Sequence, residues 1–378
     1  MTPVLAALLL STASLAEDHV ASTTPPEQPP ARILPLDPRM EVYDQFRAFF
    51  ETQRYQDALL YAQRVVELSE ADPSRDYELP IAYNNLGATQ YQLGEYAAAE
   101  QSYKKSLEIL EISQGISSRR LIVPLAGLGA VYAALDQHAM ATEKLERALA
   151  VSRRSEGLFN LTQLPLIEQI AASRFAIGDL QGVESERYYA LRIAEQNYGY
   201  GDPRTVPPAM RLAKFYEELQ EYGPARGLYL RVRDIAMAES GGFSPLAVRT
   251  LISICRTHRM QYTMEPDSID DDEPVRDPVT GQLVGRVYRT TRVPGPQADR
   301  AGLKSAEMAL EILRATRDPP ADLLLETLTE LGDWYQATGR PSRAMAYYAE
   351  VSSIHAQHPD SGLVNPLLAP RLIFYRAP

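Results

Sequence analysis

Few residues of this sequence have the types and the spacing that metal binding or catalysis requires. His355 and His358 stand three residues apart with Asp360 just behind them, and this spacing at the end of a helix is weak support for a local metal site. We found no Gly-x-Ser-x-Gly elbow, no His-Glu-x-x-His motif and no phosphate-binding glycine loop. The sequence therefore predicts a protein without catalytic residues, without a bound metal and without a cofactor.

An acidic cluster, EPDSIDDDEP, is the other group that could bind a cation. Calcium is conceivable for its four aspartates, but the cluster lacks the alternating ligands and the glycine of an EF-hand loop, so a solvated acidic loop is favoured. The aspartates are Asp267, Asp270, Asp271 and Asp272.

Composition limits the class of partner. The chain has 378 residues, of which 45% are hydrophobic and 23% charged, as in an ordinary folded protein. Its formal charge of −11 argues against a nucleic-acid partner, which would require a clustered basic face. The single cysteine, Cys255, excludes an internal disulfide and any metal site built from several cysteines.

The N-terminus resembles an export signal. An apolar run from Val4 to Leu10 precedes the small-x-small sequence at residues 14–16, so we predict a signal peptide over residues 1–16 and a periplasmic or secreted protein. No Lys or Arg precedes the run, and the frayed terminus of a cytoplasmic protein is the alternative. The run is too short for stable membrane insertion. Proline-rich residues 17–40 predict an extended linker.

The remaining chain repeats itself with a period of about 42 residues. Each repeat has a large residue followed by a small one, and thirteen positions after the large residue a second small residue. The large–small pairs are Gln45-Phe46 (degenerate), Leu86-Gly87, Leu128-Gly129, Ile170-Ala171, Leu212-Ala213, Ile254-Cys255 and Leu331-Gly332. The last interval is 35 residues too long, which indicates that repeat six is interrupted.

Each repeat is predicted to be two helices. The small residue of the pair and the second small residue let two helix backbones approach closely. Prolines begin the first helices, and the turns between helices are at Gly94, Asp136, Gly178 and Gly339. On this register Gly87, Gly129 and Gly332 should lie at the contact between the two helices, and Cys255 should be a buried, inert thiol.

The stretches LGATQYQLGEYAAAEQSYKKSL, LGAVYAALDQHAMATEKLERAL and LGDWYQATGRPSRAMAYYAEV resemble tetratricopeptide repeats, and the spacing is similar to that of kinesin light chains. The resemblance covers residues 41–353 and implies an all-α fold, an α-solenoid in which about seven helix pairs form a right-handed superhelix. Such a superhelix has a concave groove for a protein or peptide partner.

The resemblance also implies which residues line that groove. In repeat two they are Asn84, Asn85, Ala88, Tyr91 and Gln92. Paired asparagines at these places resemble those of kinesin-light-chain repeats, where the amides hydrogen-bond an extended peptide backbone. The alternative is that both asparagines are merely solvated helix residues.

Two segments fall outside the repeat pattern. Residues 261–297 form an insertion within repeat six, in which residues 276–294 predict a β-hairpin with a turn at Thr280-Gly281. Residues 354–378 predict an extended C-terminal tail with an apolar stretch at 372–375.

We therefore expect a non-enzymatic scaffold of the bacterial cell envelope that binds a protein or peptide in its groove. The alternative is a regulatory or assembly subunit of an envelope complex that binds through its insertion and tail. The sequence does not determine the partner or the oligomeric state.

Overall fold

A computed structural model describes residues 38–72, 78–240, 243–264, 268–276, 283–292 and 298–357 of the chain. Fourteen α-helices lie in these ranges. They are α1 (Pro38–Glu51), α2 (Tyr55–Glu70), α3 (Leu79–Gln92), α4 (Tyr96–Gln114), α5 (Ile122–Ala134), α6 (His138–Glu156), α7 (Leu164–Ala176), α8 (Leu180–Tyr198), α9 (Val206–Glu218), α10 (Tyr222–Ser240), α11 (Pro245–Met264), α12 (Ala298–Ala315), α13 (Ala321–Ala337) and α14 (Pro341–Gln357).

The helices pack in consecutive pairs, one pair for each predicted repeat, from α1 with α2 to α13 with α14. In repeat four, Ile167 and Ile170 of α7 share a buried cluster with Ala190 and Ile193 of α8. In repeat six, α11 packs directly against α12 although residues 265–297 separate them. The chain divides into two compact parts, Met1–Ile193 and Ala194–Pro378. The prediction of an all-α chain built from seven helix pairs is confirmed.

Outside repeat six, the turn within each pair uses the left-handed backbone region. The predicted turn residues Gly94, Asp136, Gly178 and Gly339 have φ of 78°, 57°, 76° and 71°. The same place in repeats one and five holds Gln53 and Gln220, which also have positive φ, of 59° and 63°. Glycine carries no Cβ penalty there, whereas the other residues adopt this region at a cost.

The junction between repeats is also repeated. Second helices α4, α6 and α8 are followed by Gly115, Gly157 and Gly199, all with positive φ, and then by a short 3₁₀ turn. The side chains of Ser118, Asn160 and Asp202 accept the N–H of the residue two positions later, which caps these turns. Prolines stand in the first turn of α3, α7 and α9, as predicted.

The predicted small residues form the contact between paired helices. The small residue thirteen positions after the large one has no exposed surface in six repeats. These residues are Ala58, Ala99, Ala141, Val183, Ala225 and Ala344. A Cβ added to Gly129 would lie 2.5 Å from Leu145 Cγ of α6, and one on Gly332 would lie 2.4 Å from Tyr348 Cε1 of α14. The predicted register is confirmed, because a longer side chain would meet the partner helix at these points.

Two antiparallel strands, β1 (Ser268–Arg276) and β2 (Leu283–Arg292), lie between α11 and α12. Strand β2 runs close to α10. The predicted turn at Thr280-Gly281 lies outside the described residues. Helix α11 continues to Met264, so the first four residues of the predicted insertion belong to a helix.

The predicted signal peptide, most of the linker and most of the C-terminal tail also lie outside the described residues. Helix α1 begins at Pro38 and α14 ends at Gln357, so each takes a few residues that we assigned to the linker and the tail. Within the described ranges, every helix is too short or too polar to cross a membrane.

Candidate functional site

The candidate site is the surface that the first helices of successive repeats form within each compact part, which we call the first-helix face. In each repeat it consists of five positions, counted from the large residue of the large–small pair. They are the two residues before the large residue, and the second, fifth and sixth residues after it. In repeat two these are the five predicted groove residues Asn84, Asn85, Ala88, Tyr91 and Gln92 of α3.

The two asparagines of α3 are buried rather than solvated. Asn84 is 8% exposed and Asn85 is 9% exposed. Asn84 Oδ1 has no hydrogen-bond partner, and Asn85 Nδ2 has none with normal hydrogen-bond geometry. Asn85 nevertheless lies close enough to the Tyr43 hydroxyl of α1 to oppose the rise in the Tyr43 pKa that burial causes. An amide atom buried without a partner costs free energy, on the order of 1–3 kcal/mol.

The other predicted groove residues are partly enclosed. Ala88 has no exposed surface, and Tyr91 and Gln92 are half-buried. The Tyr91 ring packs 5.5 Å from that of Tyr96, the first residue of α4. The five residues thus share one face of α3, on which Ala88 and the two asparagines are the most buried.

Unpartnered polar atoms recur at the same places in other repeats. Gln169 of α7 is equivalent to Asn85, and its Oε1 has no partner. Thr329 of α13 is equivalent to Asn84, and its Oγ1 has none either. This recurrence is not visible in the sequence, because the residue types differ while the position is constant.

A tyrosine also reaches this face from the second helix of three repeats. Tyr103, Tyr229 and Tyr348 each stand seventeen residues after the large residue of their repeat. The Tyr229 hydroxyl donates to Glu217 Oε2 at 2.6 Å, and the Tyr348 hydroxyl donates to Asp333 Oδ1 at 2.8 Å. The Tyr103 hydroxyl has no partner, and burial raises the pKa of this phenol.

In the C-terminal part, the first-helix face is held together by ion pairs. Arg259 Nε of α11 lies 2.7 Å from Glu330 Oε1 of α13, and Arg256 Nη2 lies 2.8 Å from Glu326 Oε1. Burial alone would lower the pKa of Arg259, but the Glu330 carboxylate raises it above its ordinary value. These charges already have partners within the chain.

Cys255 lies on α11 under this network. Its side chain has no exposed surface, and burial raises the pKa of the thiol well above its ordinary value. The predicted buried thiol is confirmed, and a thiol with such a pKa is a poor nucleophile.

Neither of the two candidate cation sites lies wholly within the described residues. His358 and Asp360 lie outside the described residues, as do Asp267 and the side chains of the other three aspartates of the acidic cluster. In the part of the chain that the structure describes, no three His, Cys, Asp or Glu residues are grouped as metal ligands would be.

Comparison with known families agrees with the repeat pattern. Tetratricopeptide-repeat models match residues 47–112, which span repeats one and two, and residues 324–358, which span repeat seven. The chain carries tetratricopeptide repeats. No curated protein matches this tetratricopeptide-repeat chain significantly in sequence.

Several solved structures are similar to the chain at low sequence identity. The kinesin-light-chain TPR-like repeats of Podosopora anserina are 16% identical, cover 53% of this chain and 96% of their own, with a TM-score of 0.48. BtubC (BKLC) from P. vanneervenii is 15% identical over 89% of this chain and 99% of its own, with a TM-score of 0.41. A repeat protein from Parabacteroides merdae is 12% identical over 84% and 93%, with a TM-score of 0.41.

Proposed function

We propose that this protein is a non-enzymatic scaffold of the bacterial cell envelope that binds an extended segment of another protein on the first-helix face of its N-terminal part. The observation that carries the proposal is the pair of buried amides, Asn84 and Asn85, whose Oδ1 and Nδ2 atoms lack partners. Tetratricopeptide repeats typically serve protein interaction, which agrees with this use of the face.

The chemistry of the unpartnered atoms fits a peptide backbone. Asn84 Oδ1 can accept from a backbone N–H, and Asn85 Nδ2 can donate to a backbone carbonyl. Gln169 Oε1 of α7 offers a further acceptor. An extended segment presents donors and acceptors along its length, so it can satisfy these groups without a particular side-chain sequence.

Charge favours the first-helix face of α3 and α5 as the binding surface. The defining positions of α3 and α5 carry no charged residue, namely Asn84, Asn85, Ala88, Tyr91 and Gln92, and then Ala126, Gly127, Ala130, Ala133 and Ala134. On α11 and α13 the corresponding arginines and acids are paired with one another. A partner would have to break those pairs, whereas on α3 it would satisfy groups that have no partner.

The test is a double substitution, Asn84→Ala with Asn85→Ala, in the full chain. Tagged wild-type and variant proteins would be used to purify bound proteins from an envelope extract of the producing cells. We expect the variant to lose at least ten-fold of the main co-purifying protein, while circular dichroism shows unchanged helicity.

The matched control is Gln101→Ala, which removes an exposed amide from the second helix α4. This variant should retain the partner. If both variants retain it equally, the first-helix face of repeat two is not the binding surface. If the wild-type protein is recovered only from the cytoplasmic fraction, the envelope role is wrong.

A further inference from the structure

One edge of the N-terminal part exposes large apolar side chains. We call it the turn edge: the turns that join the paired helices of repeats two, three and four, with the adjoining helix ends. Leu135 and Ile177 stand seven residues after the large residue of repeats three and four and are 38% and 52% exposed. Because consecutive helix pairs pack on one another, equivalent turns lie on the same side. The neighbouring exposed residues are Met140 and Leu180.

The turns do not need these apolar side chains. In repeat three the Gln137 N–H donates to the Tyr132 carbonyl at 2.8 Å, and in repeat four the Asp179 N–H donates to the Arg174 carbonyl at 2.9 Å. The backbone therefore closes both turns by itself. A group of exposed apolar side chains that the fold does not require indicates a surface that another chain covers.

The turn edge is also acidic. Glu95 is exposed, the Asp136 side chain is 99% exposed, and the Asp179 side chain is 44% exposed. Arg174, the nearby cation, already lies within 4 Å of carboxylate oxygens of Glu146, Asp179 and Glu186. A segment that binds here should therefore combine apolar side chains with positive charge.

One segment of this chain has that chemistry. Residues 371–376 read Arg-Leu-Ile-Phe-Tyr-Arg, which is four apolar or aromatic residues with an arginine at each end. The segment lies outside the described residues. We propose that residues 371–376 of a second copy of the chain bind the turn edge, with residues 372–375 covering Leu135 and Ile177 and the arginines facing the carboxylates.

This contact is independent of the first-helix face, and its test does not require the partner proposed above. A labelled synthetic peptide of residues 366–378 is titrated into the full chain, and sedimentation velocity is measured between about 1 and 100 μM protein. We expect saturable binding that weakens as salt rises, because exposed charges are screened. We also expect the average mass to rise with protein concentration.

The substitution Ile177→Glu should weaken peptide binding at least ten-fold and abolish the concentration dependence of the mass. Phe374→Glu in the full chain should also abolish the rise of the average mass with protein concentration. The matched control is Ile116→Glu, because Ile116 is 71% exposed but lies at a junction between repeats, away from the turn edge.

Three results would overturn the proposal. The first is peptide binding that Ile177→Glu and Ile116→Glu weaken equally, which would indicate nonspecific apolar contact. The second is no peptide binding. The third is a protein that stays monomeric at every concentration and binds the peptide only when it carries Phe374→Glu, which would mean that the segment binds its own chain.

Discussion

At the scale of single residues, the helix pairs depend on glycines that have no room for a side chain. Gly127 and Gly87 both lie against the Tyr103 ring, and a Cβ on Gly127 would be 2.4 Å from its Cζ. Since Tyr103 is almost wholly buried, its ring cannot move aside into solvent. The same residue type therefore serves contacts within a repeat and between repeats.

Replacing Gly129 by Leu should lower the free energy of unfolding by about 1–3 kcal/mol or more, because the added side chain overlaps Leu145. Chemical denaturation followed by circular dichroism measures the change. Gly201→Leu is the control, since a Cβ at Gly201 meets no atom within 4 Å. Equal stability of Gly129→Leu and wild type would show that the pair of helices can separate at this point without cost.

A partly buried histidine should make stability depend on pH. Burial, with a smaller contribution from Arg226, lowers the pKa of His258 from 6.5 to about 3. Below pH 6.5 the unfolded chain binds a proton at His258 that the folded chain binds only near pH 3, so acid favours unfolding across this range. We expect His258→Gln to flatten the fall in melting temperature between pH 7 and pH 4.5. Parallel curves for variant and wild type would mean that His258 does not stay neutral in the folded chain across this pH range.

At the scale of helices, repeat six shows that paired helices find each other across a long interruption. Helices α11 and α12 pack together, and Gly302 of α12 approaches His258 and Trp334, so the repeat is complete without residues 265–297. Loop closure penalises added chain length only weakly, which allows such an insertion at a turn.

Replacing residues 265–297 by a linker of about eight Gly and Ser residues should preserve helicity and cooperative unfolding, because α11 and α12 supply their own contact. Circular dichroism during thermal unfolding is the measurement. Loss of the cooperative transition would make the inserted segment part of the folded core. A pull-down with the same variant tests the separate prediction that the insertion binds a partner.

The sequence was sufficient for the helix pairs and for most turns, because glycine, proline and small residues act through local backbone chemistry. The sequence was not sufficient to predict the ion pairs that join neighbouring repeats. Glu195 of α8 lies 2.5 Å from Arg231 of α10, and Arg314 of α12 lies 3.0 Å from Glu350 of α14. Both pairs join residues 36 positions apart, a spacing that means nothing until the helices are placed side by side.

The burial of the candidate site could not be predicted for the same reason. The sequence places Asn84 and Asn85 on one helix face, but whether they are solvated depends on how closely α1 and α5 approach α3. Side chains on those neighbouring helices, such as Tyr43 and the small residues of α5, decide this.

At the scale of the whole molecule, the two compact parts have differently composed first-helix faces. In residues 1–193 the face of α3 and α5 is neutral and has unpartnered amides, whereas in residues 194–378 the face of α11 and α13 is built from paired charges. If partner binding is confined to the first part, the second part has a different role, such as presenting its insertion or its tail.

Export determines where any such partner can be found. We predict that the mature protein begins at Glu17, because the apolar run and the small-x-small sequence of residues 14–16 have the order of a signal peptide. N-terminal sequencing of protein recovered from the producing cells decides this. An uncleaved chain that begins at Met1 would contradict export.

The position of Trp334 allows the unfolding of the C-terminal part to be followed separately by tryptophan fluorescence. It is the single tryptophan of the sequence, it is 1% exposed, and it lies on α13 in the C-terminal part. Emission excited at a wavelength that tyrosine does not absorb comes from this indole alone, whereas the 22 tyrosines occur in both parts. Fluorescence and circular dichroism recorded on one denaturant series therefore reveal whether the C-terminal part melts together with the rest of the helices or separately from them.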